Sequence, residues 1–239
     1  WMMLSWMIGI SDTQLQGFME KVYQYENSTN INLPSQLPNA VVNIKEKKYF
    51  LYAPENAKDD EIIMVLNGSM WAFQFYQKYF KQYADAFHLK MVSPIFGGWN
   101  WNEVGGVESI FATYNDLVER RVIAPNTKVT VFWVSNGGRW LSRIVYFDDK
   151  NIFSKIVYVS GLMESEIINS ERFQKNAKNK KFYVIHGKAD DRALYKYFLD
   201  SQKSFQNLST LIFEKWDHFI LLNEEEKIVP YINTIIEKK

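Results

Sequence analysis

The chain contains no cysteine, which excludes disulfide staples, thiolate metal sites and a cysteine nucleophile together. It also lacks an excess of either charge. Lys+Arg 28 against Asp+Glu 27 leaves a formal net charge of +1, so no bulk field recruits nucleic acid or an acidic membrane surface. Histidine is scarce, at three in 239 residues; chemistry that needs a base near neutral pH has few residues to choose from. The apolar stretch at residues 1–10 is too short to span a bilayer. It has neither the basic flank nor the small-residue cleavage pattern of a signal peptide.

What is present is ordinary globular material. Hydrophobic residues make up 47% and charged residues 23%, and the length suits one domain that buries a full core without staples. Ser11 followed by Gln14 resembles a capping box that opens a helix running to about Glu26. A polar run at 27–32 then leads to Pro34. Residues 1–34 are therefore expected to form an N-terminal helix and loop packed on a single domain at 35–239.

Within that domain, β-rich runs at 41–44 and 49–53 are split by the charged segment 45–48, which predicts an antiparallel hairpin. Short apolar runs follow at 62–66, 90–95, 129–134, 155–159, 182–185 and 210–213. Between them lie helical stretches at 71–87, 104–122, 137–147, 192–205 and 225–238. Near-continuous apolar strands alternating with helices imply a mostly parallel, doubly wound α/β sheet buried on both faces. Such sheets bind ligands at the carboxyl ends of their strands.

The run at 129–134 ends in Ser135, with Asn136, Gly137 and Gly138 beyond it. A serine on a tight strand-to-helix turn projects its hydroxyl above the sheet, as in the G-x-S-x-G nucleophile elbow. The amide of Asn136 at the helix start is then placed to stabilise an oxyanion. One departure stands out. The residue two before the serine is Trp133 rather than glycine, and a bulky ring there has to turn aside or splay strand from helix.

A serine nucleophile needs a base, and the base needs an orienting acid. Asp190 follows the strand end His186-Gly187 by three residues, where the acid is expected, with Asp191 in reserve. His218 follows the last apolar strand, the expected loop for the base. His88 ends a helix ahead of a strand, away from that region. The order Ser135, Asp190, His218 is that of α/β-hydrolases. The loop after 62–66 carries Asn67 and Gly68, which makes the Ser69 amide the candidate second oxyanion donor and Met70 the reserve.

Four blocks resemble the polyhydroxybutyrate depolymerase-like esterases, with their feruloyl and acetylxylan esterase relatives. They are Leu66-Asn67-Gly68-Ser69, Gly98-Trp99-Asn100-Trp101 with 106–110, Val134 to Gly138, and His186 to Asp190. Where family members often carry a cysteine pair, this chain has Ser69 and Gly98. The resemblance implies an α/β-hydrolase fold, an ester substrate that is small or polymeric, and a lean towards export. It implies no metal or organic cofactor. Trp99 and Trp101 are expected near the mouth of the site, where they stack on substrate or pack loop onto core. Trp71, Trp140 and Trp216 border the catalytic loops, and Met70, Trp71 and Trp140 are further candidates for substrate contact.

The interval between Val159 and Phe182 holds little more than one crossover helix, at about 164–178, so no large lid is expected. Two other readings stand beside the esterase. One is a peptidase or thioesterase on the same fold. The other is a catalytically impaired α/β-hydrolase acting as a binding protein, which Trp133 favours.

Overall fold

The computed structural model describes residues 41–44, 47–66, 73–95, 105–135, 138–161, 163–190, 195–216, 220–223 and 225–237. The expected N-terminal unit at 1–34 lies outside them. The strands are β1 Val41–Ile44, β2 Lys47–Tyr52, β3 Lys58–Leu66, β4 Leu89–Ile95, β5 Lys128–Val134, β6 Phe153–Val159, β7 Lys181–Gly187 and β8 Leu208–Phe213. They form one sheet in the order β1-β2-β4-β3-β5-β6-β7-β8. β1 and β2 pair antiparallel, as the hairpin pattern predicts, and β2 also runs antiparallel to β4. Every other pairing is parallel.

The helices are α1 Phe73–Phe87, α2 Gly106–Glu119, α3 Gly138–Phe147, α4 Ser165–Ile168, α5 Glu171–Ala177, α6 Tyr195–Ser201, α7 Ile220–Asn223 and α8 Glu225–Glu237. Side chains alternate along a strand, so β5 feeds two cores at once. Val129, Val131 and Trp133 pack on the face covered by α2, α3 and α5. Phe132 and Val134 pack on the opposite face, under α1 and α8. This is the doubly wound arrangement that the apolar runs predict. α8 persists despite an internal Pro230, because Ile228, Ile232, Ile235 and Ile236 bury one stripe against the sheet.

Two expectations need correcting. The crossover between β6 and β7 is not one helix but the short pair α4 and α5. Ser170 breaks it: its side chain accepts the Phe173 N–H as the N-cap of α5, and a residue at an N-cap takes extended rather than helical backbone. β3 also starts at Lys58, four residues before its apolar run. Its first residues are exposed and charged, so hydrophobic patterning shows only its buried half.

The amino ends of the strands hold a closed ionic knot. Lys180 Nζ donates to Asp148 Oδ2 at 2.6 Å, to Asn151 Oδ1 at 3.0 Å and to the Phe153 carbonyl at 2.9 Å. Asp148 in turn accepts the N–H groups of Ile152 and Phe153. Both charged side chains are wholly buried. Burial holds the Lys180 ammonium below the usual lysine range, with Asp148 offsetting part of that. Removing one partner strands the other charge, so Lys180→Met is expected to cost about 3–5 kcal/mol. Adding Asp148→Asn recovers part of the loss, and turnover per folded molecule stays unchanged, since this knot lies at the end of the sheet away from Ser135. Urea melts of the single and double variants check it.

Candidate active site

β5 lies between β3 and β6 in the middle of the sheet. From Thr130 onward its ladders run in register to its end: Leu66 pairs with Trp133, Trp133 with Tyr158, and Val134 with Val159. Ser135 comes next and turns the chain into the left-handed region, at φ 65°. That conformation is costly for any residue with a Cβ, and strain of this kind clusters at functional sites. Ser135 is only partly buried.

Trp133 does not spoil this turn. Its ring is fully buried in the core that Ile110, Trp140 and Leu141 also build. The strand pairing on either side runs straight past it. The ring has turned aside into the helix layer, and the strand has not been splayed.

The acid candidate sits on an equally defined turn. The Asp190 N–H donates to the Gly187 carbonyl at 3.2 Å, closing a four-residue turn at the end of β7. This gives the spacing from the His186-Gly187 pair a physical basis. The Asp190 side chain is wholly enclosed, and one carboxylate oxygen lies 4.0 Å from His186 Nδ1. The His186 ring is itself buried and stacks on Tyr195, with centroids 5.8 Å apart.

Because these strands are parallel, the loops that follow them leave from one end of the sheet. Val134, Val159 and Ile185 are partners in register, so Ser135, Ser160 and His186 are the next residues of three adjacent strands. Gly187 pairs with Phe213 at the end of β8, and residues 214–216 lead towards His218. His218, Asn136, Ser69, Met70, Trp71, Trp99, Trp101 and the reserve Asp191 lie outside the described residues. His88 sits between α1 and β4, at the amino end of the sheet away from Ser135, with a left-handed backbone of φ 54°.

Ser160 is a feature that sequence reasoning missed. It ends β6 in a left-handed conformation, φ 47°, and its N–H donates to the Ile185 carbonyl. The only available signal was a serine before a glycine at the end of an apolar run, much the same signal that marks Ser135. Exposure separates them. Ser160 is completely buried, and its hydroxyl has no hydrogen-bond partner among the described residues. Of these two serines only Ser135 keeps solvent-exposed surface.

The region after β6 is tied down. Arg143 on α3 grips Glu164 with two bonds of 2.9 Å, which raises its already high pKa. Its guanidinium also lies 4.3 Å from the centre of the Trp140 ring, and Trp140 is itself buried. No large lid occupies the stretch between β6 and β7. The Tyr158 hydroxyl is pushed far above the usual phenol range by burial, so it is no acid or base at neutral pH. Among the described residues no cluster of His, Asp and Glu could hold a metal ion, and no helix is long and apolar enough to cross a membrane.

An eight-stranded sheet in this order, with its second strand antiparallel and a strained serine after the fifth, is the α/β-hydrolase fold. Solved structures agree on the fold. The chain is similar to Est1E from Butyrivibrio proteoclasticus, with a TM-score of 0.62 and 11% identity over 83% of this chain and 98% of that one. It is also similar to the esterase EaEST from Exiguobacterium antarcticum, with a TM-score of 0.60 and 10% identity over 84% and 100%. Acyl-protein thioesterase 2 of Zea mays gives a TM-score of 0.55 and 16% identity over 78% and 97%. The sequence matches no family model and no curated protein.

Proposed function

We propose that the chain is a serine hydrolase that cleaves carboxylic esters through an acyl-enzyme on Ser135. The observation that supports this most is the left-handed backbone of Ser135 at the end of the central strand β5, the conformation of a nucleophile elbow. His218 takes the Ser135 proton as the hydroxyl attacks the ester carbonyl. Asp190 orients His218 and stabilises its charged form. The amides of Asn136 and Ser69 hold the oxyanion. The alcohol leaves with a proton from His218, and water then releases the acid by the same route. Nothing in these steps calls for a metal or organic cofactor.

The substrate class that fits is a bulky or polymeric ester, of polyhydroxyalkanoate, feruloyl or acetyl type. The short crossover after β6 favours such an open site, as do the sequence blocks around Trp99 and Trp101. Met70, Trp71, Trp99 and Trp101 contact the substrate in this reading, and Trp140 backs the cleft from α3. Est1E, one of the similar proteins, has been solved with ferulic acid bound. A thioesterase and a peptidase also share the fold, so a series of matched esters, thioesters and amides should show esters turned over fastest. The direct test is labelling of the wild-type chain by a fluorophosphonate at Ser135. A chain that is not labelled there, or a Ser135→Ala variant that hydrolyses esters as well as wild type, rules the proposal out.

A further inference from the structure

The geometry points to Arg143 and Glu164 as a clasp that fixes the connection after β6 as one wall of the ester site, and so sets which esters fit. This inference rests on the esterase reading and deepens it by naming what governs selectivity. β6 is the neighbour of β5, and Val159 pairs with Val134. The connection therefore leaves β6 directly beside Ser135, and it is short, running from Ser160 to the start of α4 at Ser165.

Both of its ends are pinned. At the start, Ser160 takes its left-handed turn, and its N–H donates to the Ile185 carbonyl at 2.9 Å. At the far end Met163 is buried in the core that also holds Trp140. Glu164 follows, and its two carboxylate oxygens accept from Arg143 Nε and Nη2, each at 2.9 Å. The face of the same guanidinium lies 4.3 Å from the centre of the Trp140 ring. A planar fork that grips a carboxylate with its edge and an aromatic ring with its face is particular to arginine.

Glu164 is also the root of α4. The N–H groups of Ile167 and Ile168 both donate to its carbonyl, at 3.1 and 3.0 Å. Glu164 stands at the N-cap, yet its side chain makes no capping bond to α4, because Arg143 engages it. A helix of four residues does not hold itself. α4 is held by Ile168, its one buried residue, and by the grip on Glu164. Arg143 belongs to α3, which begins three residues after Ser135. One helix thus follows the nucleophile turn and, a turn and a half later, fixes the wall beside it. Selection by size needs walls that do not yield, and one methylene against such a wall is worth about 10–200-fold. The two side chains are 38% and 20% exposed, so the pair adds little to global stability. Its removal tests position rather than folding.

The test compares p-nitrophenyl esters of increasing acyl length, and acetates of increasing alcohol size, on the full chain. Arg143→Ala and Glu164→Ala are each expected to narrow the spread of kcat/KM across the more selective series by about 10-fold. The change should lie in KM, with kcat for the smallest ester altered much less. The double variant should be no worse than either single one, since both lose the same contact. Arg172→Ala removes an arginine in like company, paired with Asp149 and lying over Tyr146 at the other end of α3, and should leave the spread unchanged. If Arg143→Ala does not fold, Glu164→Ala decides the matter. A folded variant with wild-type spread and KM values, in a chain that hydrolyses esters, overturns the clasp and leaves the esterase reading standing. A wild type that turns over no ester and is not labelled at Ser135 overturns both.

Discussion

Ser135→Ala is expected to lower ester turnover by about 10⁴-fold or more, since on the proposed mechanism losing the nucleophile leaves only binding and oxyanion stabilisation. Ser135→Gly should be equally inactive, yet the two variants should differ in stability. The left-handed backbone at φ 65° costs a residue with a Cβ about 1–2 kcal/mol, and alanine carries that cost as serine does. Glycine escapes it but loses about 0.4–1 kcal/mol through its freer unfolded chain. The balance favours Ser135→Gly over Ser135→Ala by up to about 1.6 kcal/mol, a Tm rise of up to about 6 °C for a domain of this size. Calorimetry of the two variants measures it. A glycine variant that melts below the alanine variant means that the turn stores no strain, and the elbow loses its physical signature.

The second large effect concerns Trp133. Replacing it by the glycine usual at this position of the elbow should not improve the proposed ester turnover but abolish it by unfolding the chain. The ring is wholly buried between sheet and helices, and truncating a buried tryptophan to alanine costs about 3–5 kcal/mol. Glycine in a strand adds about 0.5–1 kcal/mol more. The sum, about 4–6 kcal/mol, is a large part of a typical domain stability of about 5–15 kcal/mol. Trp133→Gly is therefore expected to be largely unfolded or to melt at much lower urea. Trp133→Phe, which keeps an aromatic ring on the same face, should lose less and retain ester turnover. A glycine variant as stable as wild type shows that the ring is not part of the core. Turnover rising in that variant shows that Trp133 obstructs the elbow.

These two residues show how far the chain could be read before folding. Ser135 was legible because strand, serine and glycines follow each other within ten residues, and local order survives in a sequence. Trp133 was legible only as an anomaly. Whether a ring at that point splays the turn depends on which layer it enters, and that is set by how α2 and α3 pack on the sheet. Ser160 carries a local signal close to that of Ser135, and the patterning gave no reason to separate them. Burial alone does so, and burial is a property of the packed molecule. The length of the interval after β6 predicts one crossover helix, although Ser170 already stands there as a cap. β3 was read short because its exposed charged half has no hydrophobic pattern to mark it.

The strand–helix alternation, the antiparallel hairpin and the chain order of Ser135, Asp190 and His218 are consequences of local composition. Apolar runs can only be buried strands when helices cover both their faces, and parallel strands send their following loops to one end. The packed structure alone decided the rest. It turned the Trp133 ring into the core, closed Ser160 to solvent, and buried Lys180 with Asp148. It also set the Trp216 backbone against Gly187. Each of these brings together groups far apart in the chain or hides a group from water, and neither distance nor exposure is written in the order of residues. The order of Ser135, Asp190 and His218 is thus a property of the chain, and burial and close approach are properties of the fold.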